Sequence, residues 1–415
     1  MNDKMKHTLW MLFALGLAVQ FSAIRIFHLD LGPGWAALWP GLAVFGAAFL
    51  LSWAAELAQL EIPQTLAIAF LALIAVVPEY AVDVLLAWKA GTDPSYLPRA
   101  AANMTGSNRL LIGVGWPIIL FAYWWKTRKT AIELPSEHGL EIKVLLIATV
   151  YSFIFAIKQS FTIIDTFILL GIFIYYMVCA AKMKHEEPEL EGPAKMLAVV
   201  SRPCRILITI GLFILAGFVI FNAAEPFVEG LIHTGKVWGI SDFLLIQWLA
   251  PLASESPEFI VAIIFALRAN PVSSLGTLIS SKINQWTLLI ATLPMAYGIS
   301  TFVAYGSFKG MALDHQQVQE VFLTSAQSFF ALVLLANFRF AMVEALALIV
   351  LFSGQLIWQI AHTSDIHAGG THPEYDKVRM GFAFAYVVFG LAVIMFHKGR
   401  RCAVKKMLFR KHANT

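Results

Sequence analysis

The chain has 415 residues, of which 59% are hydrophobic and only 13% charged, with a formal net charge of +4. That balance excludes an ordinary soluble globular domain, and continuous apolar runs in place of short alternating strands exclude a transmembrane β-barrel. Three scattered cysteines, Cys179, Cys204 and Cys402, are too few for a disulfide framework and lack metal-ligand spacing, and the small net charge gives no sign of a nucleic-acid partner.

A span needs about 20 mainly apolar residues. In chain order such runs predict helices near 8–28, 33–57, 62–89, 98–125, 141–159, 162–182, 205–225, 241–268, 271–300, 317–337, 341–361 and 377–397, about twelve in all, with 62–89 and 98–125 long enough to be tilted or broken. The first run follows Lys4 and Lys6 as a signal sequence would, but its length and Arg25 favour a retained helix. If the N-terminus is cytoplasmic, the same side receives Lys126, Arg128, Lys129, Lys182, Lys184, Lys195, Arg202, Arg205 and the basic tail from Lys398 to Lys411. The opposite side collects only Arg99, Lys236, Lys309 and the like, so the positive-inside rule places both termini in the cytoplasm of what reads as a bacterial inner-membrane protein.

The most polar internal stretch, 183–204, falls near the middle of the chain and reads as a solvated cytoplasmic linker between two halves. Ala54-Ala55-Glu56 and Ala223-Ala224-Glu225 each end a helix ahead of a long apolar segment. Those segments carry Val77-Pro78-Glu79-Tyr80 and Ser256-Pro257-Glu258-Phe259, each followed by a basic residue, Lys89 or Arg268, and a polar helix. The unit is five helices, and an odd number forces the second copy to enter the membrane from the opposite face. The expected division is an extra helix over 1–32, a first repeat over 33–182, the linker, an inverted second repeat over 205–361, and an extra helix with a basic tail over 362–415. The two extra helices carry no evident chemistry.

Glu79 and Glu258 fall within apolar segments, where an ionised carboxylate costs several kcal/mol unless something neutralises it. Pro78 and Pro257 each remove a backbone donor and break or kink the helix, and freed carbonyls beside carboxylates make a hard oxygen environment suited to Ca²⁺ or Na⁺. A protonated glutamic acid bonding between helices is the plainer reading of one such residue, but a matched Pro-Glu pair favours the ligand role. Asp83, four residues after Glu79, and Glu255, three before Glu258, place a second acid on each helical face. Asp83 also reads as a solvated residue near its helix end. Opposite the glutamates, Asn103, Ser107 and Asn108 in the first half, and Thr277 and Ser281 in the second, offer oxygen ligands beyond mere interhelical packing.

At these residues the sequence resembles the cation/calcium antiporter superfamily, which includes the sodium/calcium exchangers. Each half of that family carries a Gly-Thr-Ser-x-Pro-Glu segment and a Gly-Asn-x-x-Gly-Ser-Asn segment. Here Pro78-Glu79, Asn103-Met104-Thr105-Gly106-Ser107-Asn108 and Pro257-Glu258 match, and Ser254 stands for the family's Thr. The Gly-Thr-Ser positions of the first half are Ile74-Ala75-Val76, Glu255 replaces a Ser, Thr277 replaces an Asn, Ser280 a Gly, and Lys282 the final Asn.

The resemblance implies an all-α polytopic membrane protein of two inverted five-helix repeats, and a secondary antiporter working by alternating access. The expected cargo is Ca²⁺ or a related divalent cation exchanged for H⁺ or Na⁺, bound by Glu79, Glu258, Asn103, Ser107, Asn108, Ser254, Glu255, Thr277 and Ser281 and modulated by Asp83 and Lys282, with no cofactor. Partners are small inorganic cations and the lipid bilayer. A Na⁺/H⁺ antiporter on the same scaffold and a non-transporting sensor are the alternatives, and a hydrolase lacks both a nucleophile with its base and a His-Glu-x-x-His run. Lys282 either pairs with Glu255 and Glu258, mimicking a resident monovalent cation, or snorkels to the interface, as Arg109 is expected to do.

Overall fold

The computed structural model describes residues 3–27, 35–61, 77–182, 190, 192–362 and 373–401. The protein is almost wholly helical. Among the described residues ten helical runs are long and apolar enough to cross a membrane, and eleven if one bent pair counts as a single span. Of the expected span 62–89, residues 62–76 lie outside the described residues, with Ile74-Ala75-Val76; so do most of 183–191, His367, His372, Cys402 and the tail.

The chain forms two compact units, 1–103 with 177–258, and 104–176 with 259–415. The first holds α1 (Asp3–Ile26), α2 (Leu38–Ala58) and α3 (Val77–Ala90). It also holds α8 (Gly192–Ala198), α9 (Arg202–Trp238) and α10 (Asp242–Ser254). Close backbone approach organises it: a Cβ on Gly46 of α2 would lie 2.6 Å from the Ala18 nitrogen of α1, so only glycine fits there. Helix α9 runs 37 residues through Pro226 to Trp238, so Ala223-Ala224-Glu225 lies inside a helix and does not end one as expected. The reason is visible in its partners. Lys89, at the end of α3, pairs with both Glu225 and Glu229 at 2.7 Å, and the Tyr96 hydroxyl donates to Glu229, which gives the last turns of α9 a polar surface to hold. Nor is the 183–204 stretch merely a solvated linker, since α8 buries Pro193, Ala194 and Leu197 against α1 and α2.

The second unit is built around an antiparallel helix pair. Helix α6 (Gly139–Lys158) is flanked by β1 (Ala131–Glu133) and β2 (Ser160–Phe161), and α14 (His315–Leu335) by β3 (Met311–Ala312) and β4 (Arg339–Ala341). β1 pairs antiparallel with β4 and β2 with β3, so the strand that enters each helix is clipped to the strand that leaves the other. Between the clips the Ser152 hydroxyl donates to Ser325 Oγ at 2.7 Å. The same unit holds α5 (Trp116–Thr127), most of α7 (Ile163–Ala180), α12 (Pro271–Asn284), α13 (Ile290–Tyr305), α15 (Met342–Ala361) and α16 (Pro373–Phe396).

Two helices pass from one unit's residues to the other's: α4 (Leu97–Leu110) and α11 (Ser256–Leu267). The 98–125 run is not broken. It is continuous through a π-helical turn at Leu111–Gly115, and a second π turn at Gln285–Leu289 joins α12 to α13. The break falls instead at Glu255, between α10 and α11, because Pro257 cannot donate to the ladder and favours the first turn of a new helix.

Candidate cation site

Glu258 does not sit mid-helix: it lies in the first turn of α11, directly after Pro257, where the helix dipole favours negative charge. Glu79 stands directly after Pro78 in the first described turn of α3, and the residues before Val77 lie outside the described residues. Both belong to the first unit, and Glu79 lies within electrostatic reach of Asp83 and of Glu258. Glu79 is buried, as is Pro78, and Asp83 is 0% exposed, so the solvated reading of Asp83 is wrong. The Asn103 amide of α4 donates to Asp83 Oδ1 at 2.9 Å. Glu255 is buried but is not on the helical face of Glu258, because the break that Pro257 imposes puts it outside both helices.

What distinguishes these groups is their spare oxygen. Asp83 Oδ2, Asn103 Oδ1 and Glu258 Oε2 are buried atoms without a hydrogen-bond partner among the described residues. Leaving even one buried acceptor unsatisfied costs about 1–3 kcal/mol, more for a charged group. Ser254 donates its hydroxyl to the Ala250 carbonyl at 3.2 Å, which satisfies the frayed end of α10 and leaves the hydroxyl's lone pairs for another partner. No three His, Cys, Asp or Glu side chains among the described residues are arranged to hold a metal on their own. Asn103 and Ser254 offer neutral oxygens beside the carboxylates, a mixture that suits a hard ion.

The remaining candidates lie in the second unit. Ser107 and Asn108 are buried on α4, and Ser281 is buried on α12. Thr277 donates to the Ser273 carbonyl of its own helix at 2.8 Å. Lys282 does not snorkel: it is 1% exposed, and its ammonium donates to Asn108 Oδ1 at 2.6 Å and to the Asn108 carbonyl at 3.2 Å. The expected partners of Lys282 were Glu255 and Glu258, whereas the acceptor in the structure is Asn108, expected as a cargo ligand.

Arg109 does not snorkel either. Its guanidinium pairs at 2.5 Å with Glu320 of α14, and Glu320 also pairs at 3.0 Å with Arg379 of α16, all three buried. Gln319 accepts from Arg379 at 2.7 Å, and Gln327 donates to the Arg109 carbonyl at 3.2 Å. The last helix, expected to be mere packing, thus carries one charge of a buried triad. The signal was present in the sequence, since Glu320 and Arg379 each interrupt an apolar run.

The sequence model of the family described as "Sodium/calcium exchanger protein" matches residues 32–182 and 208–361. The chain belongs to that family. Among solved structures, the crystal structure of the H⁺/Ca²⁺ exchanger CAX is 37% identical, covers 98% of this chain and 97% of its own, and superposes with a TM-score of 0.88. The sodium-calcium exchanger NCX_Mj shares the fold at 17% identity, with a TM-score of 0.52 over 79% of this chain and 98% of its own. CaxA of Alkalimonas amylolytica is 22% identical over 295 residues, 70% of this chain and 86% of CaxA. The family is one of exchangers, so the chain is an integral membrane antiporter-family protein.

Proposed function

We propose that this chain is a secondary active antiporter that exchanges a divalent cation, Ca²⁺ or a close relative, for a counter-ion by alternating access at Glu79 and Glu258. The observation that carries the reading is the set of buried, unpartnered oxygens on Asp83, Asn103 and Glu258 beside Glu79. Carboxylates alone would only repel one another, and a cargo cation removes that repulsion and takes up the spare lone pairs at once. The 37% identical relative, described as an H⁺/Ca²⁺ exchanger, supports the choice of cargo. The two family-matched segments support the reading of two repeats over 33–182 and 205–361, and the crossed strand clips are the pattern that an axis in the membrane plane would generate.

The mechanism follows from charge balance. With the cation bound, the carboxylates are neutralised and the site can lose its water. When the cation leaves, the same carboxylates must take protons or another cation before they can re-cross a low-dielectric interior. Purified protein in liposomes, with ion flux followed under imposed Ca²⁺, Na⁺ and pH gradients, tests the whole reading. Glu79→Gln and Glu258→Gln should each abolish divalent flux while eluting as folded protein, and normal flux by either would remove the proposal. A flux of Na⁺ against H⁺ that ignores Ca²⁺ would favour the monovalent antiporter instead.

Both termini and the 183–204 stretch are proposed to be cytoplasmic. Gly192 is a poor reporter, because its φ of +53° strains any other residue. Lys195 and Lys309 are both exposed. In a cysteine-free background, Lys195→Cys should label only with reagents that enter the cell and Lys309→Cys from outside, and the reverse result inverts the topology.

A further inference from the structure

We infer that the ammonium of Lys282 serves as a built-in monovalent cation, held where a free alkali ion would otherwise be coordinated, so that transport by this chain needs no sodium. The inference rests on the antiporter reading above and adds the identity of the counter-ion requirement to it.

The geometry is that of a cation site with its cation tethered. Lys282 Nζ donates to Asn108 Oδ1 at 2.6 Å and to the Asn108 carbonyl at 3.2 Å, and it stands 4.2 Å from the centre of the Trp286 ring. Oxygen atoms on one side and an aromatic face on another are what a desolvated cation needs. Asn108 is aimed for the purpose. Its amide nitrogen donates back to the Met104 carbonyl at 2.8 Å, which fixes the amide plane and turns Oδ1 toward the lysine. The carbonyls at the entry of the π turn take side-chain donors in succession, Asn108 from Lys282 and Arg109 from Gln327. A π turn widens the ladder and is commonly found at functional sites.

Position sharpens the argument. Asn108 and Lys282 stand 174 residues apart, the same separation as the starts of the two π turns, so each occupies the third place ahead of its own turn. Where one segment presents an amide oxygen, its counterpart presents an ammonium. Two amides facing one another would bring oxygen acceptors together with a place for a small cation. The lysine supplies that charge covalently. Packing alone does not call for it: methionine fills a similar volume without the cost of burying a charge, and Lys282 is 1% exposed.

A tethered ammonium cannot be released to either side of the membrane, and it denies its oxygens to a mobile ion. Flux in sodium-free liposomes driven by a pH gradient is the first test. The expected divalent flux is unchanged within about twofold, a difference well under 1 kcal/mol, when sodium is added on either side. An absolute requirement for sodium would overturn the inference. The second test measures saturable ²²Na⁺ binding in a Glu79→Gln/Asp83→Asn/Glu255→Gln/Glu258→Gln background, so that the acidic site carries no charge. That protein should bind no sodium. Adding Lys282→Asn or Lys282→Gln should create saturable sodium binding, together with thermal stabilisation by sodium that potassium does not give. If either folded variant binds none, or if the background protein with Lys282 intact already binds sodium, the inference is wrong, and the second of these results needs no folded lysine variant. The binding arm also stands when the wild-type protein moves no divalent cation at all, an outcome that sinks the antiporter reading alone.

Discussion

The two units bury charge in opposite ways. In the first, Glu79, Asp83 and Glu258 bring carboxylates of one sign together, and Asp83 Oδ2, Glu258 Oε2 and the adjoining Asn103 Oδ1 have no hydrogen-bond partner among the described residues. In the second, Arg109, Glu320, Arg379 and Lys282 bury charges that are answered by protein groups, two guanidiniums on one carboxylate and an ammonium on an amide. A charge whose partner is built in holds helices together, whereas one left without a partner is waiting for something the protein does not supply. The comparison separates a site that should govern transport from a brace that should govern stability.

The sharpest way to break this comparison is to remove Glu320. Glu320→Leu removes the carboxylate that the buried Arg109 and Arg379 guanidiniums share, leaving Arg379 only its longer pair with Asp376 at 3.6 Å among the ion pairs described, and should destabilise the protein by about 3–5 kcal/mol. Thermal unfolding in detergent would register it as a large loss of Tm. Replacing Arg109, Glu320 and Arg379 together by apolar residues should recover much of that loss, and a triple variant no better than Glu320→Leu would argue that the triad does more than balance charge.

Asp83→Asn probes the other side. The new amide oxygen can still accept from Asn103, while one charge is gone from the acidic cluster. Cation affinity should fall roughly tenfold, equivalent to about 1.4 kcal/mol. Stability should hold or rise, because one fewer like charge is buried. A destabilised Asp83→Asn with unaltered transport would place Asp83 with the structural charges of the second unit.

The smallest expected effect belongs to Glu61, which lies beyond the end of α2, outside the spans. Glu61 accepts from Arg202 Nε at 2.9 Å and from Arg205 Nε at 2.7 Å, and these bonds hold its carboxyl below the ordinary glutamate value of 4.5. A depressed folded-state value means that the stabilisation is fully present above pH 4.5 and fades as the pH falls through the lowered value. Melting temperatures of the wild type and Glu61→Gln, compared from neutral to acid pH, should differ slightly at neutrality, converge in acid, and converge sooner in high salt. A gap that widens in acid would contradict the pairing.

Most of the architecture could be read from the sequence because it follows from solvent. Lipid demands long apolar helices, and twelve apolar runs were countable without coordinates; ten or eleven spans are found among the described residues, with α9 running past its expected end to Trp238, α8 forming inside the expected linker, and the 62–76 stretch outside the description. The same physics singled out Glu79 and Glu258, since a carboxylate after a proline in an apolar run needs a reason wherever it packs. The family resemblance was legible for the same cause.

The sequence alone thus determined the membrane class, the family and the helix break at Pro257, all of which depend on local composition and on backbone chemistry that acts within a few residues. Tertiary structure decided the partners. Asp83 turned out buried because α4 brings Asn103 to it, and Glu255 left the face of Glu258 because the helix breaks there. Lys282 found an amide 174 residues away, and Arg109 found Glu320 on a helix far along the chain. Periodicity tells which face of a helix a residue occupies, but which distant segment lies against that face is set by helix packing, and only packing converts a buried charge into either a brace or a binding site.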